Sequence, residues 1–451
     1  QRALEHYTDL QDIKRVLTNT HLINADFLLE YFGRMTPENC LDCLRDLLKF
    51  SLVNNIRLVV EVAKKWSDYL TPDALIALFE EFKAFNGIFY YLGSFVNFTE
   101  NPTVVFKYIE AATKLEQFKE VERVCRDNDH YNPTEVKEFL LQQNLKDPRP
   151  LIHVCDRFDF VAELTHYLYS KNMFAFIEAY VQRMNPKATP PVVGSLLDLN
   201  AGDEQIIKLL SQVRPPVEDK TFYDNLVAEV EKRNRLKILK GFLESRANEG
   251  SVDPFVHNGL AKIYIDTNNN ASNFLTTNKY YDSAVVGLYA ESRDPHLSFI
   301  AYKRAWGACD EQLIAVCNKN GFFKDLARYL VERQDLELWS KVLVEDEANL
   351  PYRRQLIDQV VATALPESRI PEEVSTTVKA FMAANLPNEL IELLERIILH
   401  GPQDGEFATN RNLQNLLILT AIKADKMRVM DYIKRLNNYD GPDIGKIAIS
   451  E

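Results

Sequence analysis

LIHVCDRFDFVAELTHYLYSKNMFAFIEAYV, from Leu151 to Val181, returns without a gap 162 positions later as LIAVCNKNGFFKDLARYLVERQDLELWSKVL, from Leu313 to Leu343. Eight of the 31 paired positions are identical: Leu151/Leu313, Ile152/Ile314, Val154/Val316, Cys155/Cys317, Phe160/Phe322, Leu164/Leu326, Tyr167/Tyr329 and Leu168/Leu330. All are apolar, aromatic or cysteine. Polar positions between them change but keep their character, as in Asp156/Asn318 and Arg157/Lys319. That is the pattern of duplication in which only a buried face is constrained. A weaker echo, DLQDIKRVLTNTHLINADFLLEYF, lies at Asp9–Phe32. Self-similarity of this kind points to a repeat architecture.

Outward from that stretch the chain reads as helix throughout, with no run of strand alternation. Cys40, Leu41, Cys43, Leu44, Leu47 and Leu48 form one apolar stripe at helical spacing, and Leu390, Ile391, Leu393, Leu394, Ile397 and Ile398 form another. Six helix starts share one grammar: Thr36-Pro37, Thr71-Pro72, Asn101-Pro102, Asn132-Pro133, Asp253-Pro254 and Asp294-Pro295. The first residue can accept a hydrogen bond from an orphan N–H, and proline at the first helical position has no N–H to leave unsatisfied. Helices of about 10–15 residues with short turns give about one hairpin per 30 residues. A single hairpin cannot bury its own apolar face, but stacked neighbours can. The expected fold is therefore all-α, an α-solenoid of stacked helical hairpins. A larger period of about 150 residues divides it into 1–50, 51–197, 198–345 and 346–451.

Composition agrees. Of 451 residues, 46% are hydrophobic, enough for a continuous core, and Gly is scarce at 15. A net charge of −12 disfavours a nucleic-acid partner unless a local basic stripe exists. Six cysteines, at 40, 43, 125, 155, 309 and 317, build no disulfide framework and favour a reduced, intracellular setting. In that setting the sequons at Asn97 and Asn270 carry no meaning. No signal peptide and no membrane-length apolar run is present. Gln1 is no initiator and the last helical pattern is cut at Glu451, so the chain reads as a segment of something longer.

Motifs for chemistry are weak. Cys40-x-x-Cys43 has no second ligand pair, and its two thiols share the apolar face, which reads as core and leaves no metal site. His153 and His166 stand beside Asp156 and Asp159, but the duplicate replaces His153 with Ala315, His166 with Arg328 and Asp159 with Gly321. Gly441–Lys446 lacks the spacing, the hydroxyl residue and the strand of a phosphate loop. No catalytic residue and no cofactor is expected, and the protein is read as a non-enzyme. The densest basic run is EKRNRLK at Glu231–Lys237. Lys232, Arg233, Arg235 and Lys237 are either a solvated helix face or a docking surface for an acidic partner or a neighbouring copy. Tyr352-Arg353-Arg354 is a weaker version. The aromatic clusters Phe89-Tyr90-Tyr91 and Tyr280-Tyr281 lack the basic interleaving of nucleic-acid platforms and read as packing.

Several runs resemble the clathrin heavy chain family: VAEVEKRNRLKILKGFLESR (227–246), NGLAKIYIDTNNN (258–270), YYDSAVVGLY (280–289), RRQLIDQVVATAL (353–365), VKAFMAANLPNELIELLERIIL (378–399) and NRNLQNLLILTAIKADKMRVMDYI (410–433), with LIHVCDRFDFV (151–161) and FNGIFYYLGSFVNF (85–98). The resemblance runs essentially from end to end. It implies a distal leg segment, reaching about the knee, of a trimer whose legs build the polyhedral coat of coated pits and vesicles in endocytosis and intracellular protein transport. Partners would be other heavy-chain legs. Light chains and adaptors would bind outside this segment, and the membrane would be met only indirectly, through those adaptors, at its cytoplasmic face. The competing reading from the residues is a helical-repeat adaptor or tethering scaffold that holds a peptide in its groove.

A stack of about fifteen hairpins spaced about 8–10 Å apart should approach 140 Å in length. Small-angle scattering is expected to give a maximum dimension well beyond about 60 Å; a particle confined to that size contradicts the stack.

Overall fold

A computed structural model describes residues 2–216, 219–344, 350–400 and 405–450. Every regular element among them is helical. Two units are distinguished, Gln1–Arg235 and Leu236–Glu451. In the first, Pro37–Phe50 packs on Leu52–Lys65 and Pro72–Glu81, Leu52–Lys65 on Phe85–Leu92, and Phe85–Leu92 on Pro102–Lys114. Further along, Phe118–Asp127 packs on Arg149–Arg157, and Thr189–Asp198 on both Val161–Ser170 and Phe222–Glu231. The second unit is built alike: Pro254–Thr267 meets Ser283–Glu291, Ser283–Glu291 meets Pro295–Arg304, and Pro387–Ile398 meets Arg411–Ala424. Each helix packs chiefly on near neighbours in the chain, the hallmark of a solenoid. In the second unit one apolar cluster runs unbroken from Phe299 to Ile444.

All six prolines start a helix. In five, the preceding side chain accepts from the first turn: Thr36, Asn101, Asn132, Asp253 and Asp294. Thr71 does not, because its φ is 66° and its side chain makes no cap bond. It is the one residue between Ser67–Leu70 and Pro72–Glu81. Several helices are shorter than expected, eight or nine residues, as in Phe85–Leu92 and Arg149–Arg157.

The helix ends explain how the turns stay short. Repeatedly, one residue adopts the left-handed conformation and the next N–H bonds to the carbonyl five residues before it. Asp159, Asn172, Asn200 and Gly321 have φ of 60°, 57°, 54° and 73°. The following bonds are Phe160 to Cys155 (2.8 Å), Met173 to Leu168 (2.8 Å), Ala201 to Leu196 (3.0 Å) and Phe322 to Cys317 (2.9 Å). Asparagine tolerates this conformation best after glycine, which is how a glycine-poor chain turns so often.

The structure corrects the register of the repeat. LIALFEEFKAFNGIFYYL (75–92), LVAEVEKRNRLKILKGFL (226–243) and TVKAFMAANLPNELIELL (377–394) align at a spacing of 151 without a gap. The equivalent positions Leu75/Leu226/Thr377, Phe79/Val230/Phe381, Ile88/Leu239/Leu390 and Leu92/Leu243/Leu394 are all buried. The turn residues Lys83, Asn234 and Asn385 have φ of 51°, 54° and 54°. Arg149–Arg157 is the fifth helical segment after the turn at Lys83, whereas Asp310–Asn320 is the sixth after Asn234, counting 236–248 as one. The pairing at 162 is therefore one helix out of step. It arises because both stretches use the same left-handed turn after a buried cysteine. The expected cut at 345 lies outside the described residues.

Phe381 is fully buried and meets Trp339 edge-on at 6.1 Å. Phe381→Ala should cost about 3–5 kcal/mol, read as a lower urea midpoint for the transition that includes the second unit.

Candidate interaction surface

The basic run occupies the turn that the 151-residue register repeats. Its cations stand at Glu81/Lys232/Ala383, Phe82/Arg233/Ala384, Ala84/Arg235/Leu386 and Asn86/Lys237/Asn388. The other two copies make the same turn without any of these cations, so packing does not demand them. Arg233 is nonetheless engaged within the first unit. Its Nε and Nη2 reach Asp198 Oδ1 and Oδ2 at 2.7 and 2.6 Å, and its Nη1 reaches Glu229 Oε2 at 2.8 Å and the Glu229 carbonyl at 2.7 Å. This fork ties Thr189–Asp198 to Phe222–Glu231. Gly194 makes room for it: a Cβ there would stand 2.8 Å from Glu229 Oε2 and 3.1 Å from Arg233 Nη1. Arg235 pairs with Asp203. Lys232 reaches Glu229 at 2.9 Å but keeps 68% of its side chain exposed. Lys237, in the second unit, is exposed.

The other polar candidates are dispersed. His153 stands 3.7 Å from Glu122, and burial lowers its pKa. His166 and Asp159 are exposed. Asp156 accepts from Tyr180 (2.7 Å) and Asn185 (2.6 Å). No His–Asp bond forms among these four. All six cysteines are buried and free. Burial pushes the Cys40 and Cys155 thiols up to about 12 and Cys43 up to about 11, away from the thiolate a nucleophile or metal ligand needs. Among the described residues no group of three His, Cys, Asp or Glu side chains is placed to hold a metal ion, and no helix is long and apolar enough to cross a membrane. The partners of the arginines, Asp198 and Asp203, were invisible in the sequence, lying 35 and 32 positions away.

A solenoid of hairpins whose polar side chains are tied into the scaffold defines a helical-repeat protein. The chain belongs to the clathrin repeat family: the family model described as a region in clathrin and VPS proteins matches residues 63–203, 215–353 and 365–451. Over 450 residues it is 58% identical to the clathrin heavy chain of Drosophila melanogaster, 55% to that of Dictyostelium discoideum and 56% to clathrin heavy chain 2 of Homo sapiens. Those alignments cover 100% of this chain and 26%, 26% and 27% of the relatives, so the chain spans about a quarter of their length. The matched spans begin about 150 residues apart, in keeping with the register of the buried positions.

Arg233 holds the Asp198 carboxyl below its usual range, and Lys232 with Arg233 does the same for Glu229. Both carboxylates bind protons less readily folded than unfolded. Their contribution is therefore complete above the ordinary carboxylate range and is lost as pH falls through the folded values. The groups are largely solvent-screened, so the effect is small. Arg233→Met should flatten the fall of Tm between about pH 5 and 3; equal slopes for both proteins would show that the fork contributes nothing.

Proposed function

We propose that this chain is a structural leg segment of a clathrin heavy chain. In this reading it is a non-enzymatic spacer in the polyhedral coat on the cytoplasmic face of coated pits and vesicles. Its repeats are the end of one (1–50), two complete ones (51–197 and 198–345) and most of a fourth (346–451). The observation that carries the proposal is identity above half along the entire chain to proteins named clathrin heavy chain. The physical role follows from the stack. Bending between neighbouring hairpins is small at each step and adds along the array, which gives a stiff but compliant strut. Contacts between legs would be individually weak and polar, and strong through their number.

In this reading Lys232 and Lys237 each offer a cation to an acidic face of a neighbouring leg, Arg233 and Arg235 being occupied within the scaffold. Light chains, adaptors and the trimer junction lie on other parts of the full-length protein.

The full-length heavy chain carrying Lys232→Glu and Lys237→Glu should assemble less readily than the parent, with a light-scattering onset at lower salt. Circular dichroism should remain unchanged. Assembly indifferent both to salt and to the double reversal would remove the proposed contact. A tight stoichiometric peptide ligand of the isolated segment would instead favour a tethering scaffold.

A further inference from the structure

The internal repeat isolates one buried polar position. Pro102–Lys114, Pro254–Thr267 and Arg411–Ala424 are equivalent helices, opened by the caps Asn101, Asp253 and Asn410. Four residues after each cap stand Val105, His257 and Gln414, all buried. Downstream of each, a loop ends in Tyr131-Asn132, Tyr281-Asp282 or Tyr439-Asp440. In each the tyrosine hydroxyl donates to the carbonyl six residues before it, at 3.0, 2.7 and 3.4 Å.

In the third copy Gln414 joins this loop to the one before the helix. Its Nε2 donates to the Ala408 carbonyl at 2.7 Å and its Oε1 accepts from Asn438 N–H at 2.8 Å. His257 does the same work in the second. Its Nε2 lies 2.8 Å from the Ser251 carbonyl and its Nδ1 lies 3.0 Å from Asn278 Nδ2. A carbonyl only accepts, so Nε2 carries the proton. Asn278 Oδ1 accepts from Tyr280 N–H at 2.9 Å, which fixes the amide with its NH2 toward the ring. Nδ1 is therefore a bare acceptor. The first copy has no such relay: Val105 is apolar, and Asn128 Nδ2 donates directly to the Val96 carbonyl at 3.0 Å.

We propose that His257 is an acid-labile tie between helix Pro254–Thr267 and the loop 278–282, one that the other copies of the repeat lack. A proton on Nδ1 sets donor against donor at Asn278, and rotating that amide would forfeit the Tyr280 bond. The ring is 4% exposed, so its charge would also be buried. Neighbouring charges are otherwise engaged. Asp253 caps Phe255 and Asp282 caps Ala284 and Val285. Glu244 accepts from Tyr264, Glu291 accepts from Tyr302, Arg246 pairs with Glu249, and Arg293 pairs with Asp266. Lys240 lies 3.9 Å from Glu244, and Lys237 and Lys279 are exposed. Lys262 lies over the Tyr289 ring and Arg304 over Tyr281. Ala271–Thr277 carries no titratable residue. No carboxylate is hydrogen-bonded to the imidazole to stabilise its cation among the described residues.

The test is hydrogen exchange of the whole chain at pH 7.5 and 5.5, corrected for intrinsic rates. Protection of amides in 278–286 should be lost on acidification, while that in 436–444 stays constant. His257→Gln, which installs the third copy's side chain, should abolish the difference. Equal responses of the two loops in the wild type, or undiminished acid sensitivity in a folded His257→Gln, would overturn the proposal. Should that variant not fold, the comparison of the two wild-type loops decides by itself.

Discussion

A pair of short amphipathic helices has an apolar face it cannot cover. Everything else in this chain follows from meeting that need with the next pair along. The cover is supplied locally, so the core extends with the chain, and in the second unit one cluster reaches from Phe299 to Ile444. Removing one layer would expose two faces, one on each neighbour. Fully buried residues such as Phe79, Tyr302, Tyr329 and Phe381 therefore recur along the chain.

Continuous stacking requires turns that are short and sharp. The left-handed residue at the helix end supplies them, and here it is asparagine more often than glycine. This same local device made Leu151–Val181 look like Leu313–Leu343. Both stretches place a buried cysteine five residues before the N–H that closes the turn. Sequence similarity registered the turn, whereas the buried positions at a spacing of 151 register the repeat.

Polar side chains tie the layers together at a characteristic reach. Arg45 pairs with Glu81, Lys65 with Glu30, Arg233 with Asp198, and Arg354 with Glu389, each about one hairpin away in sequence. Each exposed pair is worth about 0.2–1 kcal/mol, so they align neighbours more than they stabilise them. Tyrosines do likewise: half-buried Tyr264 and Tyr289 and buried Tyr302 pack their rings against the helices and donate to Glu244, Asp266 and Glu291. Tyr91 and Tyr281, which read as packing in the sequence, also make hydrogen bonds, to Ser67 Oγ at 2.6 Å and to the Leu275 carbonyl at 2.7 Å.

The sequence by itself determined the helical class, six of the helix starts and the solenoid, because apolar periodicity and the Asx/Thr-Pro starts are local signals. It also placed Cys40, Cys43, Cys155 and Cys317 in the core, whereas the basic run, read there as a helix face or docking surface, lies across a turn. Only the tertiary structure decided which copies are equivalent, that Arg233 spends its charge on Asp198 and Glu229, and that His257 takes the place held by Gln414. Those outcomes depend on which side chains meet across layers about 20–40 residues apart in sequence. Local pattern carries no information about such meetings, and Val105, His257 and Gln414 share a position without sharing a chemistry.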